Sequence, residues 1–211
     1  VCADFNDPDV LELMNSDLPV VTIDYVHHNC TAVSSNNIQG MEDLVKYIYG
    51  QGHRKIAYIH GQQASYVTKD RLASFYRTVD ELGLKIPDEY IRTADYLETR
   101  EAAKQTKELL NLEDPPTCII YPDDTSLIGG RNVIIEMGLR IPRDISIAGY
   151  DGTRMSQLLH PQLTTIRQDT ELIGSEAAKR LIGSIEKPRT TLVERVVIEG
   201  ILVAGKSVGR I

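Results

Sequence analysis

Short apolar runs alternate along this chain with stretches in which apolar residues return every three or four positions. The runs at 19–23, 56–59, 118–121 and 145–150 are short and almost wholly apolar, so they read as strands buried on both faces. Residues 90–93 and 163–166 are weaker extended pieces, and a β-rich tail is expected from about 192 to 203. Between them run helical stripes. The first carries Ile38, Met41, Leu44, Val45 and Ile48, with Asn36 placed to cap it and Gly50 and Gly52 to end it. Leu72, Phe75, Tyr76, Val79 and Leu82 form the second, stopped by Gly83. Ala102, Thr106, Leu109 and Leu110 form the third, closed before Pro115 and Pro116. Leu127, Ile128, Ile134 and Ile135 mark a fourth that ends at Gly138, and Leu172, Ile173, Ala177, Leu181 and Ile185 mark the last.

Strands apolar on both faces that alternate with helices predict an α/β protein whose parallel sheet is covered on both sides. One doubly wound domain fits this pattern, and so do two lobes with crossovers near 51–54 and 166–169. In an open parallel sheet, ligands sit beyond the carboxyl ends of the strands. There the chain places Asp24, Asp95, the pair Asp123 and Asp124, and Asp151. Tyr25 and Tyr96 directly follow two of them. Any one of these Asp residues also serves as an N-cap for the next helix. Taken together, carboxylates accept from hydroxyls, a Tyr ring packs on the apolar face of a sugar, and an Arg fork holds vicinal hydroxyls or an anion. That set suits a polyol-like ligand.

The composition is ordinary for a globular protein, with 42% apolar and 25% charged residues among 211. Low-complexity and disordered classes are thereby excluded. No apolar run approaches the about 20 residues of a membrane span. With 23 Lys and Arg against 30 Asp and Glu, the net charge is −7. Scattered basic residues on an acidic chain make a poor phosphate-binding surface, so DNA contact would have to come from another segment. Cys2, Cys30 and Cys118 are odd in number and far apart, which argues against a disulfide framework or zinc and suits the cytoplasm. The phosphate-loop, GxSxG and HExxH patterns are absent. Asp123 and Asp124 resemble the acidic pair of a magnesium site, but the cap accounts for them more simply. Gly129 and Gly130 lie within a helical pattern and read as a packing site. His53 and His60 flank a strand and read as structural, and His27 and His28 lie in a polar loop. No metal and no cofactor is expected.

Several segments together resemble the lactose/galactose repressor family of bacterial transcription regulators. They are Asn36-Asn37-Ile38-Gln39-Gly40, the run 52–61 (GHRKIAYIHG), Arg71-Leu72-Ala73-Ser74-Phe75, the run 115–120 (PPTCII), the run 138–151 (GLRIPRDISIAGYD) and the run 160–169 (HPQLTTIRQD). Order and spacing fit from about residue 19 to 207. The resemblance implies the effector-binding region, with the two-lobed fold of type I periplasmic sugar-binding proteins. Residues 1–52 plus 168–187 would form an incomplete N-terminal lobe, and 53–167 plus 188–205 the C-terminal lobe. The chain begins without Met, and the resemblance implies that a helix-turn-helix DNA-binding domain precedes it in the whole protein.

The family's ligand positions carry over one at a time. Arg71 stands where the family has the Arg that clamps the effector, against the alternative of a surface Arg on an amphipathic helix. Tyr96 matches an aromatic that packs on the ligand. Asp123 stands where the family usually has Asn; an ionised Asp only accepts hydrogen bonds, so the ligand would present donors there, or Asp123 would pair with Arg71. Asp151 matches the acidic residue after the Gly-Tyr pair, where the family's second Asp is replaced by Gly152. Gln168 matches a position at the pocket edge. The function implied is ligand sensing without catalysis in a cytoplasmic repressor: a sugar or sugar derivative bound between two lobes, a homodimer, DNA contact only through the missing domain, and no membrane. The rivals are a periplasmic-type sugar-binding protein for transport and a magnesium-dependent phosphatase built on Asp123 and Asp124.

Overall fold

A computed structural model describes residues 8–187 and 192–211. The chain runs α1 (Pro8–Met14), β1 (Val21–Ile23), β2 (Thr31–Ser35), α2 (Asn37–Gly50), β3 (Ile56–His60), α3 (Tyr66–Glu81), β4 (Ile91–Thr93), α4 (Thr99–Leu110), β5 (Cys118–Ile120), α5 (Asp124–Glu136), β6 (Ser146–Asp151), α6 (Arg154–Leu158), β7 (Thr164–Arg167), α7 (Thr170–Glu186), β8 (Arg195–Ile198) and β9 (Ile201–Val203). A single 3₁₀ turn at Asp88–Tyr90 leads into β4. Cys2 lies outside the described residues. Among these, no helix is long and apolar enough to cross a membrane.

The chain divides into two compact units, residues 1–37 with 169–200 and residues 38–168 with 201–211. Unit 1 holds a parallel sheet of order β1-β2-β8. Ile173 and Ala177 of α7 pack on it with Val33 and Ile198. Helix α7 starts where the Asp169 carboxylate accepts from the amide of Leu172.

Unit 2 holds a six-stranded sheet of order β4-β3-β5-β6-β7-β9, parallel except for β9. Successive side chains of its strands feed opposite cores, as the two-residue repeat of a strand requires. Ile56, Tyr58, Cys118, Ile120, Ala148 and Tyr150 face Met41, Leu44, Val45 and Ile48 of α2 and Phe75 and Val79 of α3. Ala57, Ile59, Ile119 and Ile147 face Ala102 and Leu109 of α4 and Leu127 and Ile134 of α5. The last residues run along the opposite edge from the strand ends that carry acids: Ser207 bonds Ile147 and Thr164, Gly209 bonds Ser146, and the Ile211 amide donates to Gln51. His53 is buried there, with Nδ1 on Thr117 Oγ1 at 2.9 Å and Nε2 on the Gly209 carbonyl at 3.0 Å.

The units divide at 37/38, 168/169 and 200/201, whereas the resemblance drew the lobes at 52/53, 167/168 and 187/188. Helix α2 sits in unit 2 because its apolar face fills that unit's core, and β8 sits in unit 1 because it pairs with β2. Not every stripe residue faces inward: Ile38, Tyr76, Ile135, Leu172 and Ile185 are exposed.

Candidate functional site

The carboxyl ends of β3, β5, β6 and β7, with the loop after β4, bring five sequence-marked residues onto one edge of unit 2. Arg71 projects from α3 and is 2% exposed. Its Nη1 donates to the Pro122 carbonyl at 2.9 Å, its guanidinium lies 3.5 Å from the centre of the Tyr150 ring, and Nη2 stands 3.9 Å from Asp151 Oδ1. Burial opposes the charge, but the surrounding Tyr150, Tyr96 and Asp151 outweigh it and raise the Arg71 pKa. The group is thus a fixed cation in a wall of rings.

Asp151 ends β6 with φ 102, a conformation unusual for a residue with a Cβ, and Gly152 follows at φ 67. A Cβ on Gly152 would collide with Arg167. The Asp151 carboxylate accepts from Gln168 Nε2 at 2.6 Å, while the Gln168 amide donates to the Asp151 carbonyl at 3.1 Å. The Asp151 side chain is 30% exposed beside an Arg71 side chain at 3%. The pair therefore offers its acceptor to solvent and keeps its cation behind.

Tyr96 follows β4 and packs on the backbone of Gly61, where a Cβ would strike its ring. Its hydroxyl lies 2.9 Å from Thr68 Oγ1, and burial raises its pKa. Leu97 has φ 65, and its amide donates to Asp123 Oδ2 at 2.9 Å. Asp123 also caps α5: Oδ1 accepts from the Ser126 amide at 2.8 Å and Oδ2 from the Ser126 hydroxyl at 2.7 Å. The cap is thus real, and the same carboxylate fixes the loop that bears Tyr96.

In the sequence Asp124 stood out at a strand end, as a cap or as the second half of an acidic pair. It is 1% exposed and accepts from Thr165 Oγ1 and the Thr153 amide, each at 2.8 Å. Burial pushes its pKa up to about 6, against those hydrogen bonds. Gly149 makes room for it, since a Cβ there would collide with Asp124 Oδ1. Thr68, Tyr150, Thr153 and Thr165 escaped the sequence reading; the Gly149-Tyr150 step was the one local sign. Asp24 lies in unit 1, where Oδ1 accepts from the Ser35 amide at 3.3 Å. Among the described residues, no three His, Cys, Asp or Glu side chains are grouped to hold a metal ion.

The family model for a periplasmic binding protein-like domain matches residues 45–208. The HTH-type transcriptional repressor PurR of Aliivibrio salmonicida (strain LFI1238) is 31% identical over 189 residues, 88% of this chain and 56% of the repressor. The probable HTH-type transcriptional repressor ExuR of Bacillus subtilis (strain 168) is 28% identical over 190 residues, 89% of this chain and 57% of its own length. The chain thus spans a little over half the length of these curated relatives. Among solved structures, a LacI transcriptional regulator from a Rhodococcus species superposes with a TM-score of 0.86 at 26% identity, covering 95% of this chain and 74% of that one.

Proposed function

The chain belongs to the periplasmic binding protein-like domain family that serves LacI-type transcription regulators, and from that premise we propose that it is the effector-sensing part of a repressor answering to a sugar or sugar derivative. The observation that carries this reading is the grouping of Arg71, Asp151 and Gln168 with the rings of Tyr96 and Tyr150 at the carboxyl edge of one sheet. Arg71 would hold ring hydroxyls or an anionic group through its fork, Asp151 would accept hydroxyl protons, and Tyr96 would pack on the apolar face. Gln168 would steady Asp151, and Asp123 would act as an acceptor or through the Tyr96 loop.

No bond is made or broken in this scheme. The ligand prefers one conformational state of the domain, and a coupling of about 1–3 kcal/mol would suffice to alter DNA occupancy. The DNA contact itself would come from a segment outside this acidic chain, acting in a homodimer in the cytoplasm.

The test is calorimetry on wild type and Arg71→Ala with neutral pentoses, hexoses, disaccharides and uronates. Saturable binding of at least one class is expected, weakened more than about tenfold in the variant, because a lost charge-assisted hydrogen bond costs about 1.5–3 kcal/mol. Binding of none of these classes would overturn the sugar reading, and equal affinity in both proteins would remove Arg71 from the site.

A further inference from the structure

The turn at 151–153 combines two features that need an external hold. Asp151 occupies a left-handed backbone conformation at φ 102 without being Gly, and Gly152 continues it at φ 67. Two successive amides of this turn are tied to one buried side chain, one directly and one through a hydroxyl. Thr153 N donates to Asp124 Oδ2 at 2.8 Å. Gly152 N donates to Thr165 Oγ1 at 3.3 Å, and that hydroxyl donates to Asp124 Oδ1 at 2.8 Å. The Thr153 hydroxyl adds a third contact to Oδ2 at 3.2 Å. Each oxygen of one carboxylate thus serves one amide of the turn, directly or through a hydroxyl.

Such a carboxylate differs from an ordinary helix cap. Asp124 is the first residue of α5, and Asp123 already caps that helix. The sequence also departs from the usual strand chemistry to admit it: Gly149, in the middle of β6, leaves the space that Asp124 Oδ1 fills.

We propose that Asp124 is a positioning residue of the candidate site, holding the 151–153 turn so that the Asp151 carboxylate stays beside Arg71 and Gln168. The proposal rests on the reading of that edge as a ligand site, and the hold itself is measurable without any ligand. Ionised Asp124 accepts from both sides; once protonated, it carries a donor where two donors already point. The charged or titratable group facing it is Asp151 from β6, whose charge adds to the effect of burial, with Arg71 of α3 beyond Asp151. Thr165 of β7, with Thr153 and Ser156 at the start of α6, faces it with hydroxyls and amides that favour the ionised form.

The experiment is residue-resolved amide hydrogen exchange on the full chain from pH 5 to 7.5, corrected for intrinsic exchange. In the wild type, opening of the turn alone takes the Thr153 and Thr165 donors from a carboxylate that stays buried and so raises its pKa further. Protection of Gly152 and Thr153 should therefore rise with pH from about 6 upward, opposite in sign to the effect of global unfolding, which exposes Asp124. Asp124→Asn should abolish that titration and speed both amides about tenfold or more, the size of one lost charge-assisted hydrogen bond. The Ile119 and Ile147 amides of the core strands should not change. Thr165→Val provides a near-isosteric second variant. It should expose Gly152 while Thr153 stays protected, and it should move the onset of the rise upward, because the lost hydroxyl favoured the charged form. A pH-independent turn in the wild type, or an onset unmoved in Thr165→Val, would overturn the proposal. Failure of every sugar to bind would instead strike at the ligand reading and leave these exchange results untouched.

Discussion

Asp123 and Asp124 are neighbours whose four oxygens serve different parts of unit 2: one carboxylate caps α5 and holds Leu97, the other reaches Thr153 and Thr165. The sequence marked both through their place at a strand end, and it left the cap and the ligand contact open for Asp123. It could not show that Oδ2 accepts from two donors, because one of them, Leu97, comes from a distant loop. Asn in this place keeps one acceptor and sets an amide group against a donor. Asn caps a helix as well as Asp, so the cost of about 1–2 kcal/mol expected for Asp123→Asn comes from the acceptor lost to Leu97 and Ser126. For a chain of this size that is a fall of about 2–8 °C in melting temperature. Scanning calorimetry reads it, and an unchanged transition would mean that the Leu97 bond contributes nothing. His53 gives a pH dependence of opposite sign to Asp124. Burial lowers its pKa, so the folded state holds fewer protons than the unfolded one just below pH 6.5, and its stabilisation is present above that pH and lost as pH falls through it. For Asp124, raised from 3.8 to about 6, stability is instead lost as pH climbs across that interval. Urea midpoints between pH 4 and 6.5 should therefore rise more steeply with pH in Asp124→Asn than in wild type; parallel curves would rule out the raised pKa.

At the scale of elements, the helical repeat located α2, α3, α4, α5 and α7, the apolar runs located β1, β3, β5 and β6, the weaker extended pieces β4 and β7, and the β-rich tail β8 and β9. Three elements stayed hidden for physical reasons. β2 reads Thr-Ala-Val-Ser-Ser, too polar to look like a buried strand, yet four of its five residues are buried between β1 and β8. Helices α1 and α6 are seven and five residues long, too short for a period of 3.6 to stand out. The pair Gly129 and Gly130 was legible as a packing site, and its partners are now visible. A Cβ at 129 would run into the backbone of Thr99 at the start of α4, and one at 130 into the Tyr121 ring, whose hydroxyl lies 2.8 Å from Thr106 Oγ1. Backbone cannot yield as a side chain can. Gly129→Ala should thus destabilise by about 1–3 kcal/mol through overpacking, despite the better helix propensity of Ala. Equilibrium urea unfolding checks this; a stabilised variant would mean that the α4–α5 contact relaxes freely.

At the scale of the whole molecule, family and fold class were legible because motifs spread over most of the chain carry them. The boundaries between units were less so. A strand's sheet depends on its pairing partner, and Glu194, at the entry to β8, donates its amide to a Thr31 hydroxyl 163 positions away. No local pattern records such a distance. It has a consequence in time. Unit 2 is mostly one continuous stretch, and its strand ends close over short spans, such as the 13 positions that separate Gly152 from Thr165. Unit 1 must wait for β8, and joining ends so far apart costs entropy before any contact returns it. On dilution from urea, the amide of Tyr121, which donates to the Ala148 carbonyl, should become protected in an earlier kinetic phase than that of Ala32, which donates to the Glu194 carbonyl. Pulsed hydrogen exchange separates the two phases, and simultaneous protection would mean that the long closure sets no order. On a ribosome, the same asymmetry leaves β1 and β2 waiting, made but unpaired with β8, while most of the polypeptide behind them is still being assembled.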